Sequence, residues 1–127
     1  MSRAYEGQGK MLLCIDDSRA VLDYEKRILE RSGYIVVTEV SARRGLRLAT
    51  IYRFDAVLLD YHMPEMNGHQ LASAIRRIRP DTPVVMFSGS DIPEETRRLV
   101  DAVVPKADSP SQLLPTISRL CEQSSPD

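Results

Sequence analysis

Residues 56–68 read Ala56-Val57-Leu58-Leu59-Asp60-Tyr61-His62-Met63-Pro64-Glu65-Met66-Asn67-Gly68. The opening run is apolar without polar alternation, as in a strand covered on both faces of a parallel sheet. The Pro and the Asn-Gly that follow mark a tight, shaped loop. Over Gly68–Arg79, Leu71, Ile75 and Ile78 recur at helical spacing, and Pro80 closes the segment. One stretch therefore spells strand, loop and helix, with an acid at the strand's end.

The same unit recurs outward in both directions. Further apolar runs are Met11–Ile15, Tyr34–Val37, Pro83–Phe87 and the weaker Ala102–Val104. Helical spacing follows each run. In Ser18–Ser32 the stripe is Val21, Tyr24, Ile28 and Leu29, with Gly33 as the stop. In Ser41–Arg53, Ala42, Leu46, Ala49 and Ile51 are expected to face inward. Asp91-Ile92-Pro93-Glu94 has the form of a capping box opening a helix to Leu99. Ser109-Pro110 opens the last helix, with Leu113, Ile117 and Leu120 inward, and Pro115 is expected to kink it or delay its start.

Five alternating β-α units predict an α/β fold. It is a (βα)5 doubly wound, five-stranded parallel sheet in the order 2-1-3-4-5, with right-handed crossovers. The chain's 127 residues suit one domain. The expected limits are a flexible segment over 1–9, the domain over 10–122 and a flexible tail over 123–127. Seventeen basic against eighteen acidic residues give a net charge of −1, which argues against nucleic-acid binding and against an anionic-membrane binder. No apolar run approaches the roughly 20 residues that cross a bilayer. Two cysteines, Cys14 and Cys121, are too few for a disulfide framework and point to a reducing cytoplasm.

In such sheets ligands sit beyond the carboxyl ends of the strands. There the sequence places Asp16 and Asp17 after the first strand, Asp60 after the third, Ser88-Gly89 after the fourth and Lys106 after the fifth. Strands about 4.8 Å apart bring these groups within side-chain reach. Three crowded carboxylates call for a cation, and oxygen ligands suit Mg²⁺. Lys and Ser supply a point charge and a hydroxyl for phosphoryl oxygens, completing the parts for phosphoryl transfer. An Asp can also serve as the phosphate-accepting nucleophile.

With these residues the chain resembles the receiver domain of two-component response regulators, a flavodoxin-like fold, over roughly residues 10–122. Asp60 followed by Met63-Pro64, Met66 and Asn67-Gly68 is close to the family's signature, and Asp16-Asp17, Ser88 and Lys106 stand in order at their strands. The resemblance implies that Asp60 accepts the phosphoryl group. It implies that Asp17 holds Mg²⁺ directly, Asp16 largely through water, and that Asp60 and the backbone carbonyl of His62 complete the protein ligands. Lys106 would pair with Asp60 and contact the phosphoryl group. Ser88 would bond a phosphoryl oxygen and move with it, shifting the face formed by the fourth and fifth helices and the fifth strand. His62 and Ser90 would tune the rate of dephosphorylation. The implied donor is a histidine kinase or a histidine phosphotransfer protein, and the output is a downstream protein target. The protein is expected to be a stand-alone signalling module, a monomer or weak homodimer, and no enzyme beyond its own phosphorylation and dephosphorylation.

Two positions depart from the family pattern, both on the output side. Val103 stands where the family carries a switching aromatic, and Ala107 where it carries a Pro after the Lys. Other features read as structural: Cys14 as a buried apolar residue, Arg43, Arg44 and Arg47 as a solvated stripe, and His62 and His69 as too few for zinc. Two other readings compete. A non-phosphorylated interaction module of the same fold predicts partner binding unchanged in Asp60→Ala. An aspartyl-nucleophile phosphatase typically carries a second Asp two residues on, where this chain has His62, and the length leaves no room for a cap domain.

Overall fold

The computed structural model describes residues 7–89, 91–108 and 111–123. Its strands are β1 (Met11–Ile15), β2 (Ile35–Glu39), β3 (Ala56–Leu59), β4 (Val84–Ser88) and β5 (Ala102–Pro105). Its helices are α1 (Arg19–Arg31), α2 (Ala42–Ile51), α3 (Gly68–Ile78), α4 (Glu94–Leu99) and α5 (Leu113–Gln123). The sheet runs β2-β1-β3-β4-β5, every pair parallel, as the alternation predicts.

The apolar runs of the central strands β1, β3 and β4 are buried on both faces because the sheet sorts alternate residues into two cores, while the edge strands β2 and β5 are only partly covered. Leu12, Cys14, Ala56, Leu58, Val85, Phe87 and Val104 pack with Leu22 and Leu29 of α1 and with Leu113, Ile117 and Leu120 of α5. Leu13, Ile15, Val57, Leu59, Val84 and Met86 pack with Ala42 and Ala49 of α2, with Leu71, Ala72 and Ile75 of α3, and with Ile92 and Val100 flanking α4. This core sorting puts α1 and α5 on one face, and α2, α3 and α4 on the other.

Helix ends follow local chemistry. Ser18 caps α1 by accepting from Val21 N, Ser41 caps α2 through Arg44 N, and Asn67 with Gln70 forms a capping box at α3. After α1, Gly33 takes φ +93°, and Tyr34 N reaches back to Leu29 O at 3.2 Å.

Several expectations are corrected. The Asp91…Glu94 box does not form. Pro93 caps α4 with no side-chain bond, and its carbonyl accepts from Thr96 N and Arg97 N at 3.0 Å each. Pro93 pushes Ile92 out of helical geometry, so no helix can begin earlier. The inward stripe of α1 is Leu22, Glu25 and Leu29, with Val21, Tyr24 and Ile28 only partly covered. On α2, Gly45 is buried with Ala42 and Ala49, Leu46 is half-buried, and Ile51 is 60% exposed. Ile78 at the end of α3 is 39% exposed. Both Ile residues are the last of their helices. Of the two outcomes expected of Pro115, the delayed start is the one seen: α5 begins at Leu113, which puts Pro115 third in the first turn, where a missing N–H costs no helix bond. The Ser109-Pro110 opening, Ser90, and most of the two terminal segments lie outside the described residues.

Candidate functional site

The sheet ends aim the site. Asp60 N donates to Ile15 O at 3.0 Å and Asp16 N to Glu39 O at 3.2 Å, so pairing continues one residue beyond β1 and β3. The two acids therefore leave neighbouring strands side by side. Carboxylate oxygens of Asp16, Asp17 and Asp60 all lie within 4.8 Å of one another. Asp16 and Asp60 are buried and Asp17 is exposed, so the cluster has a floor and an open rim.

From the other side, β5 ends at Pro105 and Lys106 begins a single 3₁₀ turn to Asp108. Its stem passes Phe87, with Nζ 5.8 Å from the ring centroid. Nζ reaches Asp16 Oδ2 at 3.1 Å and Asp60 Oδ1 at 3.2 Å. Ser88, the last residue of β4, is 2% exposed and stands between β3 and β5. The five residues singled out in the sequence therefore come together at one sheet edge.

Gly68 sets how closely α3 approaches this edge. A Cβ there would lie 2.7 Å from Tyr61 Cα, 2.9 Å from Asp60 O and 3.0 Å from Met86 Sδ. Gly68 N also donates to Tyr61 O at 2.6 Å, closing the loop that begins at Asp60.

The charges do not balance. Burial raises the pKa of Asp16; Ser18 N–H and Lys106 oppose this and Asp60 adds to it, with a net rise. Burial would lower the pKa of Lys106, but Asp16 and Asp60 override it and hold the ammonium above its usual range. One strongly held ammonium thus stands against three carboxylates. An all-oxygen cluster with surplus negative charge fits a hard divalent cation.

The family model of the response regulator receiver domain matches residues 12–114. The chain belongs to this family.

Receiver domains are signalling modules of two-component systems rather than enzymes in general. Among curated relatives, the response regulator MprA of Mycolicibacterium vanbaalenii is 31% identical over 120 residues, covering 91% of this chain and 52% of that protein. The transcriptional regulatory protein GlrR of Escherichia coli is 33% identical over 119 residues, covering 91% of this chain and 27% of that protein. The chain thus spans about half the length of the first and about a quarter of the second. Among solved structures, a CheY-like receiver domain of Methanospirillum hungatei superposes with TM-score 0.85 at 30% identity, covering 91% of this chain and 96% of that one. TrrA of Thermotoga maritima, solved with Mg²⁺ and BeF, shares the fold with TM-score 0.83 at 23% identity, covering 87% and 98%.

The remaining receiver positions fall around this centre. His62 is exposed on the loop after Asp60, its ring edge-on to Tyr61 at 5.0 Å. His69 lies on α3, with Nδ1 2.9 Å from Oγ1 of the buried Thr96 on α4. Val103 is half-buried and, with Ser88, Arg97, Pro105, Lys106 and Ala107, lines a cavity of about 160 Å³ between β5 and α4. The small side chains at 103 and 107 leave that space open. Arg43, Arg44 and Arg47 are exposed, and Cys14 is buried.

Glu25 escapes the sequence reading. It is 2% exposed, its Oε1 has no hydrogen-bond partner among the described residues, and its pKa is pushed up to about 8, chiefly by burial and then by Asp16. Its side chain bonds the Cys14 thiol, two residues before Asp16. The spacing of Leu22, Glu25 and Leu29 was the available signal, hidden because an acid on a helix reads as solvated.

Proposed function

We propose that this receiver domain accepts a phosphoryl group on Asp60 from a histidine kinase or a histidine phosphotransfer protein. The observation that carries this reading is Lys106 Nζ between Asp16 and Asp60, beside a cluster completed by Asp17. Asp60 is the nucleophile. Lys106 is the charge that receives a phosphoryl oxygen, and Ser88 supplies a hydroxyl for another.

Asp17, Asp60 and the backbone carbonyl of His62 would hold Mg²⁺. Asp16 serves it through water, since Ser18 N at 2.9 Å and Lys106 at 3.1 Å already engage its two oxygens. The ion's chemistry is to offset the charge of the acids and of the incoming phosphoryl oxygens. The Mg²⁺–BeF complex of TrrA agrees with this reading. His62, exposed beside Asp60, and Ser90 tune the return reaction.

Charge arriving at Asp60 draws on Ser88 and on the loop leading into α4. That changes the face built from α4, β5 and α5, which a downstream protein reads. Val103 and Ala107 belong to that face, so the readout there uses the open cavity rather than a large side chain of this chain. The work is done in the cytoplasm, where Cys14 and Cys121 stay reduced.

Beryllofluoride with Mg²⁺, or acetyl phosphate with Mg²⁺, should modify the wild-type chain and leave Asp60→Asn unmodified. Identical behaviour of the two proteins overturns the reading.

A further inference from the structure

We propose that Glu65 is a positioning residue for the chemistry at Asp60, tying the loop between β3 and α3 to the amino end of α2. This rests on the phosphoacceptor reading above. The loop's two ends are fixed: Asp60 N is bonded to Ile15 O, and Asn67 and Gly68 are locked into the start of α3. Met63 anchors the middle by burial, while Pro64 and Glu65 are exposed. An exposed loop segment is ordinarily free to move.

Glu65 removes that freedom. Its Oε1 accepts from Ser41 Oγ at 2.7 Å and from Arg43 N at 3.1 Å. Ser41 Oγ in turn accepts from Arg44 N at 3.2 Å, and Ser41 N donates to Glu39 Oε2 at 3.1 Å. The first turn of α2 contains no acidic residue of its own. A helix start presents unpaired N–H groups and partial positive charge, and a carboxylate satisfies both. The loop lends α2 its missing acid, and α2 holds the loop. The Ser41 hydroxyl first, then Arg43 N–H, keep the Glu65 carboxyl below its usual range, so it is ionised at neutral pH.

Glu65 is five residues past Asp60 and three past His62. Only Met63 and Pro64 separate His62 from Glu65, so in this proposal the place of the loop at Glu65 bears on that of the His62 carbonyl. Glu65 touches neither the phosphoryl group nor the metal; it sets where the loop stands.

The test uses the full chain as wild type, Glu65→Ala, Glu65→Gln, Ser41→Ala and the double variant. Mg²⁺ affinity and the beryllofluoride concentration for half-saturation are measured well below each protein's thermal midpoint. Glu65→Ala should weaken both by about three- to tenfold, at or below what loss of an outer-shell partner costs a metal site. Glu65→Gln should recover most of the loss, because an amide oxygen accepts from the same donors. Glu65→Ala/Ser41→Ala should be no worse than Glu65→Ala alone, as expected of one shared interaction. Wild-type Mg²⁺ binding with Glu65→Ala unchanged, or additive losses in the double variant, overturns the role of Glu65 alone. A wild-type chain that takes up neither Mg²⁺ nor beryllofluoride overturns both this role and the phosphoacceptor reading.

Discussion

Lys106 Nζ lies 3.2 Å from Asp60 Oδ1, and one ammonium serves two buried carboxylates, since Asp16 Oδ2 is 3.1 Å away on its other side. Removing the ammonium leaves two acids facing each other in low dielectric. Lys106→Met should therefore lose about 1–3 kcal/mol at neutral pH without metal, less than for a sealed pair because its own side chain is 27% exposed. Millimolar Mg²⁺ should restore part of that loss. Asp60→Asn should move the other way and gain stability in metal-free buffer. Urea midpoints with and without Mg²⁺ check both, and a metal-free Lys106→Met as stable as wild type contradicts the argument.

Glu25 makes stability depend on pH. Its folded-state pKa of about 8 is above its ordinary 4.5, so between those values the native state holds a proton that the unfolded chain has released. The contribution is fully present below the unfolded value and is lost as pH rises through the folded one. Wild type should lose roughly 4 kcal/mol between pH 5 and pH 9 on this account. Glu25→Gln should flatten that slope, and Glu25→Leu should exceed wild type in stability at pH 9. Parallel pH slopes for wild type and Glu25→Gln would remove Glu25 as the cause.

Gly68→Ala tests the close approach of α3. Two of the three atoms its Cβ would meet are backbone, Tyr61 Cα and Asp60 O, and cannot swing aside. The expected cost is about 1–3 kcal/mol. Movement of the Asp60 loop should also weaken Mg²⁺ binding. A variant matching wild type in thermal midpoint and Mg²⁺ affinity would show that the loop yields freely.

Two aliphatic substitutions separate true core from apparent core. Leu22→Ala removes a side chain that is 0% exposed and should cost about 2–5 kcal/mol. Ile51→Lys acts on a residue that is 60% exposed and should stay within about 0.5 kcal/mol of wild type. Equal losses would return Ile51 to the core.

The strands, their order and the gathering of the candidate site residues are legible in the chain because each rests on a local signal. Val57, Leu58 and Leu59 form an unbroken run because both faces of β3 are covered, and Asp60 is polar because the strand ends there. The parallel sheet's connection rules then bring Asp16, Asp17, Asp60, Ser88 and Lys106 to one edge. Helix faces were less legible. Val21, Tyr24 and Ile28 compete with Leu22, Glu25 and Leu29 for the inward side of α1, and only packing against the sheet and α5 chooses between them. The spacing of Glu25 with Leu22 and Leu29 allows an inward face, but tertiary contact alone could reveal its partner Cys14, because solvation is the default for an acid. It alone could show Glu65, 24 positions from Ser41, completing α2. Periodicity reports which residues can share a face; which face meets the sheet, and which distant side chain satisfies a helix end, are set by packing and hydrogen bonding in three dimensions.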